Sequence, residues 1–151
     1  MKNQRKLSAE HVKNYVFAGN ATFSLFSSRK GNHLTYKLKK CEDKPLYFVY
    51  SIADNKTSMY IGFVVNDIFS YSAKSAIPKE SYKVVGFKWF LQRIDEIPDF
   101  LHVYHYSRCG KCGRKLTDEK SLNVGIGPEC RKGKAKNKKA GKARPSYSFF
   151  N

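Results

Sequence analysis

The chain has 151 residues, 41% of them hydrophobic and 15% aromatic, which suits one folded domain with a small appendix and excludes a wholly disordered chain. Its 29 Lys and Arg face 12 Asp and Glu, a net charge of +17, and that self-repulsion is relieved by a polyanion. Nucleic acid is the expected partner, with an anionic membrane surface or an acidic protein as alternatives.

No apolar run approaches the roughly 20 residues of a membrane span. None follows Met1-Lys2 as a secretory signal requires, so the sequence reads as cytosolic. In a reducing compartment, clustered cysteines favour metal over disulfide.

In chain order, residues 1–18 hold a short helical candidate. Ser8 is placed to cap it, Glu10 sits in its first turn, and Val12, Tyr15 and Val16 share a face. Gly19-Asn20 breaks the pattern. Ala21 to Ser27 and His33 to Lys39 then alternate apolar and polar residues around the turn Ser28-Arg-Lys-Gly-Asn32, which predicts a hairpin. Leu46 to Ile52, Tyr60 to Val65 and Ile68 to Tyr71 read as further strands, for an antiparallel sheet of about five. Over residues 81–95 the period changes. Ser81 is a possible cap, Pro98 follows the end, and Phe87, Phe90, Leu91 and Ile94 form a stripe that would pack on the sheet. Phe100 to Tyr104 is a last short strand. The expected class is α+β: an antiparallel sheet with one packed helix over residues 1–104, a zinc-binding module over 105–130, and a disordered basic tail over 131–151.

The sharpest feature is Cys109-Gly-Lys-Cys112-Gly, with Cys130 returning behind Gly125-Ile-Gly-Pro128. A Cys-x-x-Cys knuckle brings two thiolates to one centre, and a structural zinc site wants four ligands. Cys109, Cys112 and Cys130 supply three. The preferred fourth is His105, then His102, then the distant Cys41, which reads more simply as a lone thiol. Arg108, Lys111, Arg114 and Lys115 flank the knuckle and would offset thiolate charge. A redox pair is the competing reading, but thioredoxin-like sites place the motif at a helix start in a βαβ unit, whereas this one follows a short strand. A module of some 25 residues buries too little apolar surface to fold unaided, so metal would supply much of its stability.

The run Cys109-x-x-Cys-Gly-Arg-Lys-Leu-Thr117-Asp118, then Ser121, then Gly125-Ile-Gly-Pro-x-Cys130 resembles a family of small cysteine modules in bacteriophage, prophage and actinobacterial proteins, with the pattern CxxCGRxLTDPxSxxxGxGPxC. Glu119 departs from it, standing where the family has proline. A histidine shortly before the first cysteine also occurs there, as His105 does here. Gly19 to Phe23 and the segment around Trp89-Phe90 resemble longer phage members more loosely. The family has no established activity, so the resemblance implies zinc and a phage setting but no reaction. Physically, Thr117, Asp118 or Ser121 can cap a turn. Pro128 suits the first turn of a short helix presenting Cys130, as in a zinc ribbon or abbreviated treble clef.

Arg131 to Arg144 holds eight basic residues and no acid, and setting these aside leaves 21 basic against 12 acidic. The candidate nucleic-acid contacts are Arg108, Lys111, Arg114, Lys115, Arg131, Lys132, Lys134, Lys136, Lys138, Lys139, Lys142 and Arg144. Such a cationic arm gives affinity without sequence choice. Arg29, Lys30, Lys37, Lys39 and Lys40 make a second patch on the first hairpin. Tyr36 or Tyr47 could stack bases there, although any one such ring more simply fills the core, and Tyr36 shares a face with Leu34 and Leu38. Tyr147, Phe149 and Phe150 end the tail.

Enzyme patterns are missing. The four histidines are 11, 33, 102 and 105, so none follows Cys112 as a His-metal finger nuclease needs. There is no His-x-Glu before a Pro-Cys-x-x-Cys, and no P-loop or Gly-x-Ser-x-Gly. The expectation is a non-catalytic, zinc-containing nucleic-acid-binding protein of low sequence specificity in a phage-infected or lysogenic bacterial cytoplasm. The alternatives are a phage protein that binds a host protein complex (polymerase, ribosome or defence system) through the zinc module, and a metal-dependent nuclease.

Overall fold

The computed structural model describes residues 4–54 and 56–131. Chain order is β1 (Arg5–Leu7), α1 (Ala9–Val16), β2 (Asn20–Ser27), β3 (His33–Lys40), β4 (Tyr47–Ile52), β5 (Ser58–Val65), β6 (Ile68–Tyr71), α2 (Tyr82–Gln92), β7 (Leu101–His105) and α3 (Glu119–Val124). The strands form one antiparallel sheet of seven, ordered β1-β7-β2-β3-β4-β5-β6. The expected α+β class holds.

Alternation along the strands sorts side chains onto two faces. Ala21, Phe23, Leu25, Tyr36, Leu38, Val49, Val64, Leu101 and Val103 point inward and are buried together. A bulge at Ile61 on β5, opposite Val49 and Tyr50, lets Ile61 join them. The two longer helices lie on this inner face. α1 contributes Val12, Tyr15 and Val16, and α2 contributes Val84, Phe87, Phe90 and Leu91. Ser81 Oγ accepts from the Lys83 amide and caps α2, while Ser8 stands at the N-cap of α1 without a side-chain cap bond. Gly86 on α2 lets the helix approach β3, since a Cβ there would lie 2.8 Å from Leu34 Cδ1.

Of the two readings of Tyr36 and Tyr47, the core one holds: Tyr36 is fully buried, packs on Phe87, and its hydroxyl donates to the Lys83 carbonyl at 2.6 Å. Tyr47 also points inward, donating to the Phe17 carbonyl at 3.0 Å. In addition, the strand expected at Phe100 to Tyr104 runs Leu101–His105 and lies between β1 and β2. The boundary drawn between 104 and 105 therefore falls before the last residue of β7. The segment 131–151 lies outside the described residues except for Arg131.

The aromatic packing yields a stability prediction. Phe87 is fully buried and touches Tyr36, Phe69 and Phe90, with ring centroids 5.2, 5.3 and 6.2 Å away. Phe87→Ala should destabilise the fold by about 3–5 kcal/mol, read from the urea midpoint at unchanged slope. A loss below about 1 kcal/mol would contradict this packing.

Candidate metal centre

β7 delivers the chain to the cysteines. Ser107 takes a left-handed conformation (φ 62°), and a tight hairpin follows. Arg108 and Lys115 pair as an isolated bridge, the Cys109 amide donates to the Arg114 carbonyl at 2.8 Å, and the Leu116 amide to the Ser107 carbonyl at 2.8 Å. Gly113 closes the turn at φ 82°, a conformation that costs glycine little. After this knuckle Asp118 caps α3, its carboxylate accepting from the Ser121 amide at 3.0 Å, and Gly125 ends it in the left-handed region. Residues 128–131 are again helical and carry Cys130. Of the three cap candidates Thr117, Asp118 and Ser121, Asp118 takes the role, and the expected helical first turn at Pro128 is present.

These elements bring the sulfurs of Cys109, Cys112 and Cys130 within 4.8 Å of one another. A tetrahedral zinc with Zn–S of about 2.3 Å spaces its sulfurs about 3.8 Å apart, so small side-chain adjustments close the site on an ion. All four cysteines of the chain are unpaired. Cys109 is the buried anchor, Cys112 is exposed, and Cys130 is intermediate.

The amides of Gly127, Lys111 and Cys112 point at Cys109 Sγ from 3.3, 3.4 and 3.5 Å. Burial opposes ionisation of this thiol, yet those amides outweigh it and hold its pKa at about 7. Burial pushes Cys130 up to about 12, reinforced by the two neighbouring cysteines. An array of amides trained on one sulfur suits a thiolate, and a cation between the three sulfurs would relieve the repulsion that raises Cys130. The donor set therefore fits a thiophilic metal ion.

His105 does not join the three thiols. It points inward from β7, fully buried, 5.5 Å from the Tyr15 ring. Its Nδ1 accepts from the Ser107 amide at 2.9 Å, and its Nε2 lies 2.7 Å from the Leu122 carbonyl. Only the neutral tautomer protonated at Nε2 makes both bonds, and both nitrogens are occupied. The expectation of a fourth ligand here gives way to a structural histidine that ties the sheet to α3. His102 is further removed: its side chain points to the opposite face of the sheet, stacked on Phe26. Cys41 donates to Asp43 at the end of β3. Among the described residues, no fourth His, Cys, Asp or Glu joins the three cysteines. An open cavity of about 610 Å³ borders Cys130 and carries one imidazole, His11, with Asn14, Lys111 and Arg131 around it.

Of the expected basic contacts, Arg108, Lys111, Arg114 and Lys115 are exposed around the knuckle. Arg131 also braces the module: its guanidinium donates to the Ile126 carbonyl at 2.7 Å and to Ser121 Oγ at 2.9 Å. Lys132, Lys134, Lys136, Lys138, Lys139, Lys142 and Arg144 lie outside the described residues.

Residues 99–133 match the model of a family of unknown function (DUF6011), a span that contains all three clustered cysteines. No curated protein and no solved structure matches the chain.

The two roles of the site can be separated by mutation. Cys130→Ser should abolish stoichiometric metal retention, measured by elemental analysis after gel filtration, while His105→Gln should keep the metal and lower the melting temperature. Burial holds the His105 pKa below its ordinary value, despite the Leu122 bond that raises it. The unfolded chain therefore takes up this proton first, and stability should fall as pH drops through about 6.5. His105→Gln should flatten that part of the stability–pH curve. Metal lost from His105→Gln but kept in Cys130→Ser would reverse the assignment.

Proposed function

We propose that this chain is a non-catalytic, zinc-containing nucleic-acid-binding protein of low sequence specificity, encoded by a phage or prophage and acting in the host cytoplasm. The observation that carries the reading is the convergence of Cys109, Cys112 and Cys130 under a rim of exposed cations, Arg108, Lys111, Arg114 and Lys115. Three thiols favour zinc over the harder divalent ions, which prefer oxygen ligands. With His105 engaged elsewhere, zinc would complete its shell with water or with a group entering from the His11 cavity.

The metal's role in this reading is to fix the knuckle, and the knuckle's role is to present cations. Phosphates then bind by charge, with release of condensed counterions and little preference for sequence. The eight basic residues from Arg131 to Arg144 continue the same charge along the chain. A non-catalytic role is supported by the sequence: no histidine follows Cys112 to act as a general base. The phage setting is supported by the resemblance of residues 105–130 to phage and prophage modules. No described helix is long and apolar enough to cross a membrane.

Affinity for a mixed-sequence duplex should fall steeply with salt, by roughly tenfold or more between 50 and 200 mM. Truncation after Arg131 should reduce both the affinity and the salt slope while leaving the melting temperature within a few degrees. Fluorescence anisotropy across a salt series reads both quantities. A chain with no measurable affinity for the duplex at 50 mM salt would instead favour a protein partner.

A further inference from the structure

The outer face of the sheet is unusual for its chemistry. Register places Lys37, Tyr50 and Tyr60 in one cross-strand row, and Lys39, Phe48 and Phe63 in the next. Phe26 and Tyr104 lie on the same face, on β2 and β7. These aromatic side chains are only partly buried, and they are not among the residues packed against the core. The helices lie on the other side: α1 and α2 feed the inner core, and α3 is tied to the inward-facing His105. None of the seven strands carries an Asp or Glu.

The Tyr106 hydroxyl covers this face over Ser24 and Thr35. We propose that the β3–β5 part of the face is a platform for single-stranded nucleic acid, with Tyr50, Tyr60 and Phe48 stacking on bases and Lys37 and Lys39 meeting the phosphates. The inference deepens the nucleic-acid reading, on which it rests, by naming the strand state and the surface. Three points select this occupant. First, the rings contact each other in tilted or edge-on fashion (Tyr50–Tyr60 centroids at 5.7 Å, Phe48–Tyr60 at 6.1 Å), so they form a connected aromatic patch rather than scattered side chains. Second, adjacent strands are about 4.8 Å apart and like-facing neighbours along a strand about 6.8 Å, which sets lysines directly beside the rings. Unpaired bases offer their flat faces to such rings, whereas a duplex hides them, and stacking is tolerant of sequence. Third, the face is cationic and lacks carboxylates, so a second copy of this chain would meet it with like charge.

The test uses the full chain and fluorescently labelled oligothymidylate of about 12 nucleotides, beside a duplex of the same length. Tyr50→Ala combined with Tyr60→Ala should weaken single-strand binding by at least about 5-fold per ring, while duplex affinity changes less than about 2-fold. Tyr50→Phe combined with Tyr60→Phe should restore single-strand binding. Ultraviolet crosslinking of the unaltered chain to the oligothymidylate should mark the peptides holding Tyr50 and Tyr60, a readout independent of whether the alanine variant folds. A folded alanine variant with undiminished single-strand affinity, or crosslinks confined to other strands, would overturn the platform while leaving the nucleic-acid reading intact. A wild-type chain that binds neither single strand nor duplex would remove that reading and the platform with it.

Discussion

The ring of Tyr15 is the joint of this protein. It rises from α1 into the inner core, its hydroxyl donates to the Thr22 carbonyl on β2 at 3.0 Å, and its flank meets His105 on β7. The cysteine module packs onto what remains. A Cβ on Gly110 would sit 2.7 Å from the ring carbons of Tyr15, and one on Gly125 would be closer still. Both glycines are there because the backbone of the knuckle and of the α3 terminus must lie against the aromatic ring. The Gly110 amide donates to the Gly125 carbonyl at 2.8 Å, and the Asn20 amide donates to the Gly110 carbonyl at 2.6 Å. Ring, strand and knuckle thus form one connected unit. The cysteines sit on a built platform, and a metal ion would lock a geometry that apolar packing has already set up.

That arrangement explains what was legible in the sequence. Strong periodicities were readable: the alternation of β2 and β3, the stripe of α2, and Val12, Tyr15 and Val16 on α1 each report burial on one face. The knuckle was readable because its spacing reflects ligand geometry, and Asp118 and Pro128 because caps and first turns are local chemistry. What escaped depends on long-range pairing. Arg5–Leu7 has three residues and no alternation to notice, and it is a strand only because β7 lies beside it. The same neighbour explains His105. Its position four residues before Cys109 fits a ligand as well as a core residue, and only the sheet shows that its nitrogens are already taken by Ser107 and Leu122.

Alternation already groups Tyr36 with Leu34 and Leu38, and it points inward with Tyr47, whereas Tyr50 and Tyr60 stand on the outer face. Along β4 the distinction between Tyr47 and Tyr50 is a matter of parity, and for Tyr60 it depends on the bulge opposite Val49 and Tyr50. A one-residue slip would exchange the two sets. The charge of the chain was obvious from composition, but its arrangement was not: acidic side chains are confined to loops and helices, leaving every strand free of them. Arg131 illustrates the converse, a cation from the basic run that is committed to holding α3 through Ser121 and Ile126.

In the metal-bound protein, three cysteine sulfurs should hold one ion on the Tyr15 platform while His105 stays outside its coordination shell. X-ray absorption at the zinc edge, on the purified full chain loaded with one equivalent of zinc, tests this directly. The expected spectrum has three sulfur scatterers at about 2.3 Å and one lighter atom at about 2.0–2.1 Å, and is the same for His105→Gln. A shell of nitrogen and oxygen alone, or a spectrum that changes when His105 is replaced, would contradict it.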